Sequence, residues 1–369
     1  MTTLCPEIEI DVTGVVGCIT LNRPKALNAL SLPMIRAITT ALQEWRANKA
    51  IGVVAIRGMG KEAPFGQFCA GGDIRFFHSA ALAGLAQLED FFTEEYALNH
   101  LIHHFGKPIL ALMDGIVMGG GMGLAQGASH RIVTENSKLA MPETLIGLFP
   151  DVGAGYFLSR LPGRLGEWLA LTGTVIHGAS ALQIGWADSC LTASALPQIW
   201  RSLADLRSGS VIDLNNFLLH FATSTSPSER LPREQIDQCF SQPSVGEIIL
   251  ALKADGGPWA QQTIQSMAHR SPLMLHVALE QIRRARSMNL AEALRMERDM
   301  VRHCFHPLHL RRNASQSETV EGIRALAIDK DHQPRWNPAR IDEVTPAMVA
   351  PFFVSPWPAW AHPLRDLRG

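Results

Sequence analysis

The chain carries almost no net charge, with 33 lysines and arginines against 34 aspartates and glutamates for a formal charge of -1. That balance gives no electrostatic ground for expecting nucleic acid or an anionic membrane as a partner. Paired cysteines are missing as well. The six stand at Cys5, Cys18, Cys69, Cys190, Cys239 and Cys304, with no CxxC pair and no zinc-knuckle spacing. Neither a disulfide framework nor a structural metal site is expected, and scattered thiols suit a reducing compartment. The first residues lack a basic segment followed by an apolar one, so no secretory signal is expected. The most apolar long stretch, 108–126, is interrupted by Asp114 and five glycines, which is poor material for a spanning helix. What remains is a 369-residue chain, 47% hydrophobic and 18% charged, with enough apolar content for a large core. A cytoplasmic globular protein is the expectation.

Patterning along the first half points to an α/β protein. Residues 7–22 read as two strands around Thr13-Gly14, and Ser31 reads as the N-cap of a helix with Pro33 in its first turn. The apolar run 51–56 suits a strand buried on both faces. A helical period over 85–105 leads into a second buried strand at 107–113, the Asp114-Gly115 loop and the run Gly119-Gly120-Gly121-Met122-Gly123. A strand at 131–134 and helices at 154–161 and 165–171 follow. The stretch 197–245 is polar and reads as irregular, with Ser224-Thr225-Ser226-Pro227 at its centre. Helical periodicity returns over 264–304. The expected division is a core at 1–195, a mainly helical region at 196–350 and a Pro/Trp-rich tail at 351–369.

Several residues could carry chemistry. Phe68-Cys69-Ala70-Gly71-Gly72-Asp73 is a glycine turn able to bring backbone N–H groups close to a ligand. Gly119-Gly120-Gly121 follows a strand and opens a helix, so its amides can meet an anionic oxygen, although close helix packing explains three glycines equally well. The usual nucleotide fingerprints, GxxxxGK[ST] and GxGxxG with its acidic partner, are missing. Two separate glycine turns suit an oxyanion hole instead. Glu143, in Met141-Pro142-Glu143-Thr144, stands eight residues before Asp151 and both have apolar neighbours. The pair could serve acid/base or nucleophilic chemistry; the plainer alternative is a solvent-facing Glu143 and an Asp151 that caps the next helix. Glu95 falls inside the apolar stripe of Leu88, Phe91, Phe92, Leu98 and Ile102, so it needs either a structural partner or a ligand. The histidines show no HExxH and the serines no GxSxG, which leaves no case for a metal site or a serine nucleophile.

Taken together, Thr20-Leu21-Asn22-Arg23-Pro24, Asn28-Ala29-Leu30, the 68–73 turn, the 114–123 segment and Met141-Pro142-Glu143 resemble the crotonase superfamily of acyl-CoA enzymes. Within it, Ile146 to Gly153, Glu321-Gly322-Ile323-Arg324-Ala325 and Ile328-Asp329-Lys330-Asp331 look most like the 3-hydroxyisobutyryl-CoA hydrolases. The resemblance implies a crotonase-like spiral of ββα units with a mainly helical C-terminal region. It implies an oxyanion hole from the amides of Gly72 and Gly120, catalytic roles for Glu143 and Asp151, and substrate contacts from Ala70, Gly71, Asp73 and Glu95. It also implies an acyl-CoA substrate in valine breakdown, no cofactor besides the coenzyme A of that substrate, no metal, and room for a homo-oligomer. The hydratases of the superfamily carry a glutamate where this chain has Gly123. That departure favours hydrolysis of a β-hydroxyacyl thioester. Hydration or isomerisation of an enoyl-CoA, with Glu143 as sole proton carrier, is the alternative, and a silent acyl-CoA-binding protein is the third.

Overall fold

The computed structural model of the protein describes residues 5–221 and 231–369. Along the chain the strands are β1 (Ile8–Thr13), β2 (Val16–Leu21), β3 (Val53–Gly58), β4 (Ile109–Met113), β5 (Ile116–Met118), β6 (His130–Val133), β7 (Lys138–Ala140), β8 (Ile176–His177) and β9 (Ser189–Cys190). The helices of the first half are α1 (Leu32–Ala47), α2 (Ile74–Ala83), α3 (Gln87–His103), α4 (Gly120–Gln126), α5 (Ala154–Ser159), α6 (Leu165–Thr172) and α7 (Ser180–Gln183). Those of the second half are α8 (Leu196–Ser202), α9 (Val211–Leu219), α10 (Arg233–Phe240), α11 (Val245–Asp255), α12 (Pro258–Ala268), α13 (Pro272–Ala285), α14 (Leu290–Phe305) and α15 (Glu318–Ile323).

Two compact units interleave along the sequence. One takes the described residues of Met1–Gly72, Ala97–Ala140 and Val175–Arg230; the other takes those of Asp73–Tyr96, Met141–Thr174 and Leu231–Gly369. Neither unit coincides with a continuous stretch such as 1–195 or 196–350.

The first unit holds all the strands named above. Its main sheet runs β1-β2-β3-β4-β6-β9, antiparallel only at the β1–β2 hairpin, where Thr13 faces Val16 across the Gly14 turn. A smaller sheet has the order β5-β7-β8. The central strand β4 is apolar at every position, and β3 at all but Arg57, because both faces are covered. On one face Val16, Cys18, Val53, Ala55, Leu110, Leu112 and Ile132 pack with Leu196 and Ile199 of α8 and Leu214 and Leu218 of α9. On the other, the Trp45 indole of α1 lies so close to Gly17 that a Cβ there would come within 2.5 Å of the ring. The helices α8 and α9, followed by α10 of the other unit, correct the expectation of irregular chain over 197–245. Their apolar residues cover a sheet face, but short lengths and intervening serines and prolines hide the period. The Ser224-to-Pro227 cluster lies outside the described residues. Ser31 does precede α1, yet its hydroxyl donates to Glu7 at 3.0 Å instead of capping the helix.

The second unit is helical. The helix α13 packs on α5 and α6, with Gly166 so tight that a Cβ would fall 2.2 Å from the Leu158 carbonyl oxygen. Buried Glu167 is paired by Arg164 and Arg286, and Glu89 at the start of α3 is paired by Arg298 and Arg302 of α14. The C-terminal tail docks here too. Phe352 and Leu364 are buried, Ser355 donates to Asp299 at 2.7 Å, and Arg295 donates to the Leu367 carbonyl at 3.0 Å. The tail thus runs along the outer side of α14.

The two glycine turns of the first unit are joined by backbone. Cys69 donates to the Ile116 carbonyl at 2.9 Å and accepts from the Met118 N–H at 3.0 Å. A Cβ on Gly121 would stand 2.3 Å from the Cys69 carbonyl oxygen, so the turns touch only because position 121 has no side chain. Gly121→Ala is expected to cost ~1–3 kcal/mol of stability, read as a lower urea midpoint, with activity falling alongside. An unchanged midpoint would mean that the segments have room to part.

Candidate active site

In the first unit the glycine turns present backbone donors. Gly71 has φ 114, a conformation that favours glycine, and its carbonyl accepts from the Leu30 N–H at 2.8 Å. Ala70 donates to the Leu27 carbonyl at 3.0 Å. These bonds fix the turn and leave the next amide, that of Gly72, unused. Gly119, with φ 49, caps α4, whose first residue is Gly120. A Cβ on Gly71 would lie 3.6 Å from the Gly120 nitrogen, so Gly71 packs on the start of α4. Among the described residues neither the Gly72 nor the Gly120 N–H donates to a protein acceptor. Asp73, expected at the substrate, accepts from the Arg75 and Phe76 N–H groups at 3.2 and 3.3 Å and so caps α2.

The second unit presents carboxyl groups. Glu95 is buried on α3, as its place in the apolar stripe requires, and its Oε1 has no hydrogen-bond partner. Glu143 opens the 3₁₀ turn Glu143–Ile146 and is buried, not solvent-facing. That turn is held by Ser271, which donates its N–H to the Thr144 carbonyl at 3.0 Å, and by Thr319, whose hydroxyl donates to the Gly147 carbonyl at 2.6 Å. The Oε2 of Glu143 likewise lacks a partner. Asp151 is buried and accepts from the Tyr96 hydroxyl at 2.8 Å.

The simpler reading of Asp151 as a helix cap is not what the structure shows. The cap of α5 is Gly153, and left-handed backbone at Val152 and Gly153 separates Asp151 from the helix. The free N–H groups of Gly153 and Gly155 are taken by Glu297 of α14, at 2.7 and 2.8 Å. Glu297 also accepts from Gln281 at 3.1 Å, and the same amide nitrogen donates to the Pro150 carbonyl at 2.6 Å.

Sequence reasoning missed Tyr96, Gln281 and Glu297, although a signal existed. Glu297 sits among buried Leu290, Ala293, Leu294 and Val301 at helical spacing, the same pattern that singled out Glu95.

These carboxyls raise one another. Burial pushes Glu95 well above the usual carboxylate range, and the charges of Asp151 and Glu143 add to it. Burial does the same to Glu143, aided by Asp151, while the Arg270 guanidinium opposes it. Asp151 is pushed up to about 7 by burial against the bond from Tyr96, and Glu297 to about 8 against its two backbone donors. Arg270 donates to the carbonyls of Pro142 and Thr172, which places its charge behind the Glu143 turn. Such a group of carboxyls can hold a proton near neutrality and exchange it with a bound ligand.

Comparisons with known proteins agree on the family. A model of the enoyl-CoA hydratase/isomerase family matches residues 16–353. The 3-hydroxyisobutyryl-CoA hydrolase of zebrafish (Danio rerio), named mitochondrial, is 39% identical over 355 residues, covering 95% of this chain and 90% of its own length. The human enzyme of that name is 39% identical over 352 residues, 93% of this chain and 87% of its own. Among solved structures, a carnitinyl-CoA dehydratase from Mycobacterium thermoresistibile superposes with a TM-score of 0.87 at 34% identity, over 99% of this chain and 100% of that one. An enoyl-CoA hydratase from Rhodobacter sphaeroides gives 0.84 at 36%, over 95% and 98%. The crotonase-like α/β fold expected from the sequence is therefore present. Among the described residues no helix is long and apolar enough to cross a membrane.

The raised carboxyls fix the sign of the pH dependence of stability. For Asp151 and Glu297 the folded values near 7 and 8 exceed the unfolded 3.8 and 4.5, so folding favours the protonated forms. That contribution is complete below about pH 4 and is lost as the pH climbs through 7 to 8. Glu89 behaves oppositely, since His306, Arg298 and Arg302 outweigh burial and hold it low. Its contribution is lost only on acidification, below about pH 4.5. Thermal unfolding followed by circular dichroism is expected to show a midpoint that falls from about pH 5 to 9, with a flatter slope in Glu95→Gln. A wild-type midpoint that stays level would contradict this account of the cluster.

Proposed function

The chain belongs to the enoyl-CoA hydratase/isomerase family, and we propose that it hydrolyses a short β-hydroxyacyl-CoA thioester, foremost 3-hydroxyisobutyryl-CoA, as in valine breakdown. The observation that carries this reading is the buried carboxyl group of Glu95, Glu143 and Asp151 in a chain with Gly123 at the hydratase glutamate position. Vertebrate relatives named for that hydrolysis, 39% identical over most of the chain, support it.

In this mechanism the thioester carbonyl oxygen accepts from the Gly72 and Gly120 amides, which lack a protein acceptor and meet the charge that builds on oxygen in the tetrahedral intermediate. Glu143 is the central carboxylate. It either takes a proton from the attacking water or adds to the carbonyl carbon to give a mixed anhydride that water then opens. In both routes the C–S bond breaks and the departing thiolate takes the proton held by Asp151; the acid's new oxygen comes from water in the first route, and in the second from Glu143, whose carboxylate water restores when it opens the anhydride at the Glu143 carbon. Glu95, with an unpartnered Oε1, accepts from the β-hydroxyl of the substrate. Ala70 and Gly71 contribute by holding the turn that carries the Gly72 amide.

The acyl-CoA is the proposed partner, and no cofactor is proposed beyond the coenzyme A it brings. A homo-oligomer built on the C-terminal helices is proposed alongside. The cytoplasm stays the proposed compartment, because six buried cysteines in no disulfide suit a reducing environment, while the vertebrate relatives are named mitochondrial.

A second reading is hydration, because the solved relatives at 34 and 36% identity are titled as a dehydratase and a hydratase. Thiol release from 3-hydroxyisobutyryl-, 3-hydroxypropionyl-, acetyl- and crotonyl-CoA, with enoyl absorbance followed in parallel, separates the two. Release confined to the β-hydroxyacyl thioesters is expected. Loss of enoyl absorbance without thiol would establish the hydratase instead. Glu143→Gln and Asp151→Asn are each expected to lower turnover ~10²–10⁴-fold; full activity in either removes that residue from the mechanism.

A further inference from the structure

Asp151 sits on backbone that would not hold its shape unaided. Val152, the next residue, has φ 55, and Gly153 has φ 88. A β-branched residue in left-handed backbone is a true outlier, and such strain persists only where neighbours over-determine the conformation.

The neighbours can be named. The Pro150 carbonyl accepts from Gln281 at 2.6 Å, and the Gly153 and Gly155 N–H groups donate to the two oxygens of Glu297 at 2.7 and 2.8 Å. The Ala154 N–H closes the turn on the Asp151 carbonyl at 2.9 Å, and the Tyr96 hydroxyl meets the Asp151 side chain at 2.8 Å. A side chain at Gly155 would press on Glu297 and Ala285, at 3.0 and 3.2 Å, so the contact is close-packed.

Glu297 is fully buried, and among the described residues no arginine, lysine or histidine pairs with it. The adjacent Arg298 bonds Thr93 and Glu89 instead. The ionisable groups that face Glu297 are Asp151, Glu143 and Tyr96. A carboxyl placed without a cation beside other carboxyls is an expensive way to cap a six-residue helix, which a serine or aspartate at the cap would do alone.

We propose that Glu297, braced by Gln281, is a positioning residue of the reaction. Its carboxyl group clamps the Gly153 and Gly155 amides, holds Val152 and Gly153 left-handed, and thereby fixes Asp151 against Tyr96 in the orientation that proton transfer needs. Glu297 touches no substrate in this role; it acts through Asp151. The inference rests on the hydrolytic reading above, in which Asp151 is catalytic.

The test is a double-mutant cycle on the full-length protein, with thiol release from 3-hydroxyisobutyryl-CoA measured from about pH 5 to 9. Glu297→Gln keeps the size but sets an NH₂ group against one of the two glycine donors. Turnover is expected to fall roughly 10–10²-fold, the loss that a small misplacement of a reacting group brings, with KM within about twofold. The kcat profile is expected to change on its alkaline side, above about pH 7, where Glu297 of the unsubstituted protein ionises beside Asp151 and Glu143.

In the Asp151→Asn background the same substitution is expected to change kcat less than about twofold, since the residue it positions is already disabled. Leu252→Ala, a buried residue of α11 outside this contact, serves as the stability control and is expected to lower the melting midpoint while leaving kcat and the pH profile in place. Equal losses from Glu297→Gln in the two backgrounds, or a lowered midpoint with kcat and pH profile unchanged, would overturn the proposal. Should Glu297→Gln not fold, Gln281→Met takes its place with roughly a tenfold loss expected and the same lack of additivity; an unchanged kcat there overturns the proposal equally. Full activity in Asp151→Asn itself would instead remove the hydrolytic reading on which the proposal stands.

Discussion

Four carboxyl groups, those of Glu95, Glu143, Asp151 and Glu297, lie buried in one unit, and among the described residues no arginine or lysine forms an ion pair with any of them. Burying a charge without a counter-charge costs several kcal/mol, and burying several close together costs more. The unit meets that demand with neutral donors and protons: a tyrosine hydroxyl for Asp151, two backbone amides and a glutamine for Glu297. Elsewhere in the same unit the chain follows the ordinary rule. Glu167 and Glu89 receive two arginines each. The contrast shows that arginines were available and were placed away from the four.

The two units leave hydrogen-bonding capacity unused in opposite senses. The first has amide donors at half-buried Gly72 and buried Gly120 with no protein acceptor. The second has acceptor oxygens on Glu95 and Glu143 with no donor. Buried carboxyl oxygens without a donor, such as those of Glu95 and Glu143, are tolerable where a ligand satisfies them.

How much of this could be read from the sequence depends on whether the governing contacts are local. The β1–β2 hairpin, α1, the buried strands β3 and β4 and the helix of Glu95 follow from periods and turn residues that act within a few positions. The burial of Glu95 was legible because its helical stripe is apolar on either side. Glu297 lies in an equally clear stripe, but its function is to cap a helix more than a hundred residues away, and no spacing rule reaches that far. The cap that was the plainer alternative for Asp151 is absent for the same reason: the local pattern fits, and a distant carboxyl group takes the position. The 197–245 stretch was misread because α8 and α9 are short and gain their stability from the sheet face they cover. The tail reveals nothing by itself, since its anchors, Asp299 and Arg295, lie on α14.

The cluster also explains how a chain with glycine at position 123 can still run acid and base chemistry. In the hydratase arrangement two glutamates divide the work, one of them at the position that Gly123 fills here. In this protein the carboxyls are gathered on α3, the 3₁₀ turn, the Asp151 loop and α14, close enough for their charges to raise one another. Groups so placed cannot all ionise near neutrality, so the cluster holds fewer charges than carboxyls. One carboxylate is then ionised and able to attack or to activate water, while a neighbour keeps the proton that a departing thiolate needs. In the proposed mechanism, the same like-charge repulsion that burdens the fold supplies both halves of the proton transfer.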